Sequence, residues 1–120
     1  MLSFPSNVRL YVATQPADLR KSFNGLTALV DGTFGKDAMS GDLFIFMNRR
    51  LNQVRILFWD RDGYCILAKR LEKGTFRRRE DAEGRELVEI DAGELAMLLE
   101  GIDAKEVRRR PRYVRPSDTT

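Results

Sequence analysis

Histidine is absent from all 120 residues. That removes the Ser/His and Cys/His nucleophile pairs, His-ligated zinc and the usual general base near neutral pH. The single cysteine, Cys65, cannot form an intramolecular disulfide, which fits a reducing cytoplasm. No apolar run approaches the ~18 residues that a membrane span needs. Met1-Leu2-Ser3-Phe4-Pro5 has neither a basic stretch nor an apolar one, so no signal peptide is expected. A cytoplasmic protein without membrane contact, cofactor, metal or catalytic residue is the expectation.

What is present is soluble and charged: 42% hydrophobic and 32% charged residues, enough for one self-sufficient core. The net charge of +3 is unevenly placed. Residues 105–120 hold Lys105, Arg108, Arg109, Arg110, Arg112 and Arg115 against Glu106 and Asp118, a net of +4. The other 104 residues carry 15 basic and 16 acidic groups, so the body is close to neutral. Sixteen of the 21 cations are arginine, whose planar fork suits bidentate phosphate or carboxylate recognition. The expected organisation is a compact domain over residues 1–104 and a basic, arginine-rich tail over 105–120. A solvated terminus and an arm that docks on an acidic surface share that composition.

Val8–Ala13 alternates and reads as a first strand. Thr14 as a cap, Pro16 in the first turn and Asp18 soon after predict a helix start. Leu19, Phe23, Leu26, Leu29 or Val30, and Phe34 then step by three or four, predicting one long helix that ends between Asp31 and Gly35. Gly25 and Gly32 weaken it and offer room for close approach to a sheet. From Asp42 the pattern predicts an antiparallel meander: Leu43–Met47, a turn at Asn48–Asn52, Val54–Trp59, a tight turn at Asp60–Gly63 with Gly63 left-handed, Tyr64–Leu71, Thr75–Arg79 and the edge strand Glu86–Ile90. Asp91 with Glu94 forms a capping box for a short helix carrying Leu95, Leu98, Leu99 and Ile102. The fold class is therefore α+β: a single domain with a mostly antiparallel sheet of five or six strands, one long N-terminal helix and one short C-terminal helix. In Leu43–Met47 and Ile56–Trp59 both alternating sets are apolar, so both sheet faces must be covered. Either the two helices share the task or a partner covers one face.

Several constellations are candidates for chemistry or binding. Asp60 and Asp62 are the only paired carboxylates that could hold a divalent cation, but Asp-Arg-Asp-Gly is also hairpin-turn composition. Arg20 and Lys21, in the first turns of the expected helix, are placed for a phosphate, or form a solvated face. Arg49 and Arg50 occupy a hairpin tip that could follow a DNA backbone, or simply keep the loop soluble. Lys69 and Arg70 are adjacent on one strand and so face opposite sides. Arg77-Arg78-Arg79 is followed by Glu80, Asp81 and Glu83, which cancel it beyond a Debye length of about 8 Å and predict a self-paired loop. The tail has no such compensation; if Lys105, Arg108, Arg109, Arg110, Arg112 and Arg115 neutralised about five phosphates, log affinity should fall with log salt at a slope near −4 to −5. Tyr113, among those arginines, is the aromatic best placed for a nucleic acid, and Tyr11 is expected to be less buried than the rest. Phe44, Phe46, Phe58, Trp59 and Tyr64 read as core, and Cys65 as an inert buried thiol.

The run Asp18-Leu19-Arg20-Lys21-Ser22-Phe23-Asn24-Gly25-Leu26 resembles a known signature. So do Leu43-Phe44-Ile45-Phe46 with Asn48-Arg49-Arg50, Trp59-Asp60-Arg61-Asp62-Gly63-Tyr64 leading into Lys69–Phe76, and the closing Leu95–Asp103. These motifs, in this order, are similar to the small TnpB accessory protein from the second reading frame of insertion sequences of the IS sixty-six type, which is distinct from the RNA-guided nuclease of the same name. The resemblance runs from about Phe4 to Tyr113; Ser22 and Asn24 stand where Gly and Asp are usual, and Cys65–Ala68 matches loosely. It implies a non-catalytic role in transposition beside a separate transposase, through DNA binding or assembly with that transposase; docking of the compact body onto a second copy of itself is a further expectation. An adaptor that never touches DNA is the alternative. The resemblance, rather than the charge, favours contact at Arg20 and Lys21.

Overall fold

A computed structural model describes residues 7–100. Its centre is a five-stranded sheet of β1 (Leu10–Ala13), β2 (Leu43–Met47), β3 (Gln53–Asp60), β4 (Gly63–Arg70) and β5 (Leu87–Ile90), in the order β4-β3-β2-β1-β5. β2, β3 and β4 form the expected antiparallel meander. β1, however, lies parallel to β2 while β5 runs antiparallel to β1, so the sheet is mixed. Residues 14–42 make the parallel pairing possible, because parallel neighbours need a long crossover and this one contains a helix.

That helix is short, which corrects the expectation of a long N-terminal one. α1 spans Phe23–Ala28 and runs on into a π-helical turn at Leu29–Thr33. Residues 14–22 are drawn away from helix by competing partners. Thr14 donates its N–H to Glu86 O and its hydroxyl to Arg85 O, while Ala17 N donates to Met47 O. Asp18 accepts from the backbone and side chain of Arg20, the local alternative to helix that a short acidic side chain offers. Thr75–Arg79 is likewise no strand: Phe76 is fully buried and donates its N–H to Leu51 O. Among the described residues the Asp60–Gly63 turn places Arg61, not Gly63, at positive φ (53°), with Asp62 N donating to Asp60 O across it.

The second helix follows its sequence signal. In α2 (Ala92–Leu99) Asp91 is the N-cap and its carboxylate accepts from Glu94 N at 2.7 Å. The reciprocal half of the capping box does not form, because Glu94 turns to Arg79, whose Nε lies 2.8 Å from Glu94 Oε2 without hydrogen-bond alignment. Ile102, the last residue of the expected stripe, lies outside the described residues.

Both faces of the sheet's centre are covered by the chain itself. On one face Leu10, Val12, Leu43, Ile45, Met47, Val54, Ile56, Phe58, Val88 and Ile90 pack with Phe76 and with Leu95 and Leu98 of α2. On the other, Tyr11, Ala13, Phe44, Phe46 and Leu57 pack with Leu19, Leu26, Val30 and Ala38 from the crossover. Tyr11, expected to be among the less buried aromatics, is buried, stacked on Phe44 at 5.6 Å with Lys36 Nζ 4.7 Å above its ring. Phe23 falls off the apolar stripe and is exposed.

The two helical glycines have opposite surroundings. A Cβ on Gly25 would sit 2.5 Å from Lys21 Cβ, so the glycine makes room for the Lys21 stem rather than for the sheet; a Cβ on Gly32 meets nothing within 4 Å. Gly25→Ala should therefore destabilise by about 1–3 kcal/mol despite the better helix former. Gly32→Ala should be neutral or stabilising by up to about 1 kcal/mol. Urea unfolding of the two variants measures both signs.

Candidate nucleic-acid interface

The β2–β3 hairpin tip is pinned by one side chain. Asn48 Oδ1 accepts from Asn52 N and Gln53 N, each at 3.0 Å, and Asn48 Nδ2 donates to Asn52 Oδ1. Leu51 closes the turn at positive φ (59°) and its N–H returns to Asn48 O. The turn thus holds Arg49 and Arg50 out into solvent, and among the described residues neither is tied by an ion pair or hydrogen bond.

The start of the crossover is held against this tip. Ala17 N donates to Met47 O at the end of β2, and Arg55 Nη1 on β3 donates to Leu19 O at 2.8 Å. Between the two segments lies an open groove of about 850 Å³, which brings together Arg20, Arg49, Arg50 and Arg55. Asp18 is the one carboxylate in its wall, so four guanidinium groups face one negative charge. Arg20 is 91% exposed and forks onto Asp18 through Nε and Nη2, each 3.0 Å from a carboxylate oxygen. The hydrogen bond from the Arg20 side chain, then that from its backbone N–H, lowers the Asp18 pKa to about 2, and the pair raises that of Arg20.

Arg20 and Lys21 precede α1 and its N-cap Ser22 instead of lying in its first turns. They also part company. Arg20 enters the large groove, whereas Lys21 lines a neighbouring cleft of about 210 Å³ with Phe34, Phe46 and Glu86. Arg55 was not among the sequence candidates. Its signal was there: Gln53 and Arg55 are the polar alternate set of a strand whose Val54 and Ile56 are apolar, and that set faces the groove.

The other constellations serve the fold. Asp60 and Asp62 flank the hairpin turn, and no group of three Asp, Glu, His or Cys converges among the described residues. In the acidic loop Asp81 is taken by Arg85 at 2.8 Å, which lowers its pKa to about 2, while Arg79 reaches across to α2. Lys69 donates to Leu99 O and Arg70 lies 3.4 Å from Glu72, on opposite sides of β4. Trp59 and Tyr64 are half-buried and pack edge to face at 4.9 Å, at the end of the hairpin away from the groove. Cys65 is half-buried rather than enclosed. Lys105, Arg108, Arg109, Arg110, Arg112, Tyr113 and Arg115 lie outside the described residues.

Residues 8–109 match the family described as IS66 Orf2 like protein, a match that takes in every strand, both helices and the whole arginine groove. The chain belongs to that family of insertion-sequence accessory proteins. Among its relatives are two uncharacterized proteins of Sinorhizobium fredii, y4jC and y4hO. The first is 34% identical over 111 residues, 92% of this chain and 93% of the relative. The second is 34% identical over 103 residues, 86% and 88% of the two chains. No solved structure matches. Among the described residues of this IS66 Orf2 like protein, no helix is long and apolar enough to cross a membrane.

The Asp18–Arg20 fork carries a pH signature. A carboxyl whose folded pKa is about 2 against an ordinary 3.8 contributes its stabilisation in full above about pH 4 and loses it as pH falls toward 2. NMR titration should find Asp18 with a midpoint near 2, and Arg20→Ala should return it toward 3.8.

Proposed function

We propose that this protein is a non-catalytic accessory factor of transposition that holds DNA by its phosphate backbone and assembles with a separate transposase in the cytoplasm. The supporting observation is the convergence of Arg20, Arg49, Arg50 and Arg55, from three separate segments, on one open groove. Guanidinium forks take phosphate oxygens bidentately, and such contacts set position and register without reading sequence. The uncompensated tail, Lys105 to Arg115 with Tyr113, adds a second cationic element along the same duplex. Lys21 flanks the groove and strengthens the local field. Among the described residues no group of three Asp, Glu, His or Cys converges, and Asp60 and Asp62 lie at the hairpin turn, which supports a reading of binding and positioning.

The test is fluorescence anisotropy of the full chain with a labelled duplex carrying the element's terminal repeat and with a scrambled duplex, each at several salt concentrations. Arg49→Glu with Arg50→Glu should weaken binding to both duplexes at least about tenfold and reduce the salt slope by about 2. Tail deletion at Lys105 should lower the slope further. If neither duplex binds at low salt, the DNA reading fails. The groove then becomes the carboxylate-binding face of a transposase adaptor, and the same double variant should abolish co-purification with the transposase.

A further inference from the structure

The two edges of the sheet are unequal. β5 is four residues long, and its exposed Glu89 faces Arg9, 3.8 Å away. This is a short, charged edge of the kind that resists pairing with another chain. β4 is eight residues long, and its first six, Gly63-Tyr64-Cys65-Ile66-Leu67-Ala68, contain no charge and no proline. Leu67 is 45% exposed, while Tyr64, Cys65 and Ile66 are only half-buried.

The ladder shows which backbone groups this edge offers. β3 and β4 pair in one register from Asp60↔Gly63 to Gln53↔Arg70, and Leu71 N continues it by donating to Asn52 O at 2.8 Å. Odd-numbered residues of β4 therefore aim N–H and C=O at β3, since antiparallel pairs alternate. Tyr64, Ile66, Ala68 and Arg70 aim theirs outward.

We propose that β4 is the self-association surface of this protein: two copies pair edge to edge, antiparallel, with Leu67 of each copy opposite Leu67 of the other. A two-fold axis through the sheet keeps its faces in common, so only registers that pair like parity are allowed. Centring on Leu67 sets Ile66 against Ala68, Cys65 against Lys69, and Tyr64 against Arg70, whose guanidinium can lie over the ring. The cations Lys69 and Arg70 of the two copies lie at opposite ends of the joint. Charge also favours a second copy over the chain's own tail, because residues 105–120 carry +4 and would meet Lys69 and Arg70. The result is one continuous sheet made of two five-stranded halves. Gln53, Arg55 and Leu57 lie on the face that carries the arginine groove, so both grooves open on the same side of the joined sheet. Self-association does not depend on what those grooves bind.

Two experiments on the full chain test the pairing. In a Cys65→Ser background, Leu67→Cys should give a disulfide-linked dimer on mild oxidation. Opposed residues that do not exchange hydrogen bonds have Cα atoms about 4.5 Å apart, inside the disulfide range, whereas Tyr64→Cys in the same background lies several positions from its own mate and should not cross-link. Ala68→Pro removes an outward N–H without touching the β3 ladder. Sedimentation should show a concentration-dependent dimer for the wild type, its dissociation constant raised at least about tenfold by Ala68→Pro with an unchanged circular dichroism spectrum. A wild type that stays monomeric at several hundred micromolar overturns the proposal. So does a dimer that survives Ala68→Pro with no Leu67→Cys cross-link, or one that is lost only on deleting the tail.

Discussion

Everything in this molecule answers to β2. All five of its residues, Leu43-Phe44-Ile45-Phe46-Met47, are buried, so the strand is apolar on both faces and neither can be left to water. At roughly 1.5–3 kcal/mol for each large apolar side chain kept from solvent, exposing the two or three on one face would cost about 3–9 kcal/mol, comparable with a domain's whole stability. The chain meets this demand with two different coverings. Phe76 and α2 close one side, and the crossover with α1 closes the other.

That covering creates the groove. To lay Leu19, Leu26 and Val30 on Phe44 and Phe46, the crossover must leave β1 and pass close to the end of β2. There Ala17 is bound by Met47 O and Leu19 O by Arg55, which brings the Asp18–Arg20 fork beside the Arg49–Arg50 hairpin tip. The cationic wall is thus a by-product of core coverage, fixed by the Ala17–Met47 backbone bond, by the Asn48 side chain at the hairpin tip and by the Arg55 guanidinium on Leu19 O. Arg55 contributes twice, as a structural donor through Nη1 and as part of the groove's positive lining.

The exposed end of the design is β4. Covering β2 and β3 on both faces leaves the outermost strand only partly sheltered: its last four residues, Leu67–Arg70, are exposed, and α2 meets them where Lys69 donates to Leu99 O. The charged edge at β5 and the apolar edge at β4 give the sheet a direction in which it can grow and one in which it cannot.

Much of this was legible in the residues. Period-two alternation located β1 and β5, apolar runs between turn signals located β2, β3 and β4, the two-sided apolarity of Leu43–Met47 required cover on both faces, and Asp91 marked the start of α2. The absence of histidine removed whole classes of chemistry, and the ordered motifs gave the family. These are local facts, set by each residue's own type and its near neighbours. The long helix was misread because a 3.6-residue stripe cannot show that Thr14, Ala17 and Asp18 have better hydrogen-bond partners elsewhere, on residues 85–86, on Met47 and on Arg20. Arg61 takes the left-handed position expected of Gly63 because strand register, not composition, decides where a turn falls. The meeting of Arg20, Arg49, Arg50 and Arg55 had the same origin. Sequence determined that these side chains are cationic and near turns. Only the parallel β1–β2 pairing and the crossover it requires decided that they share one groove, because the bonds that bring them together join residues as many as 36 positions apart.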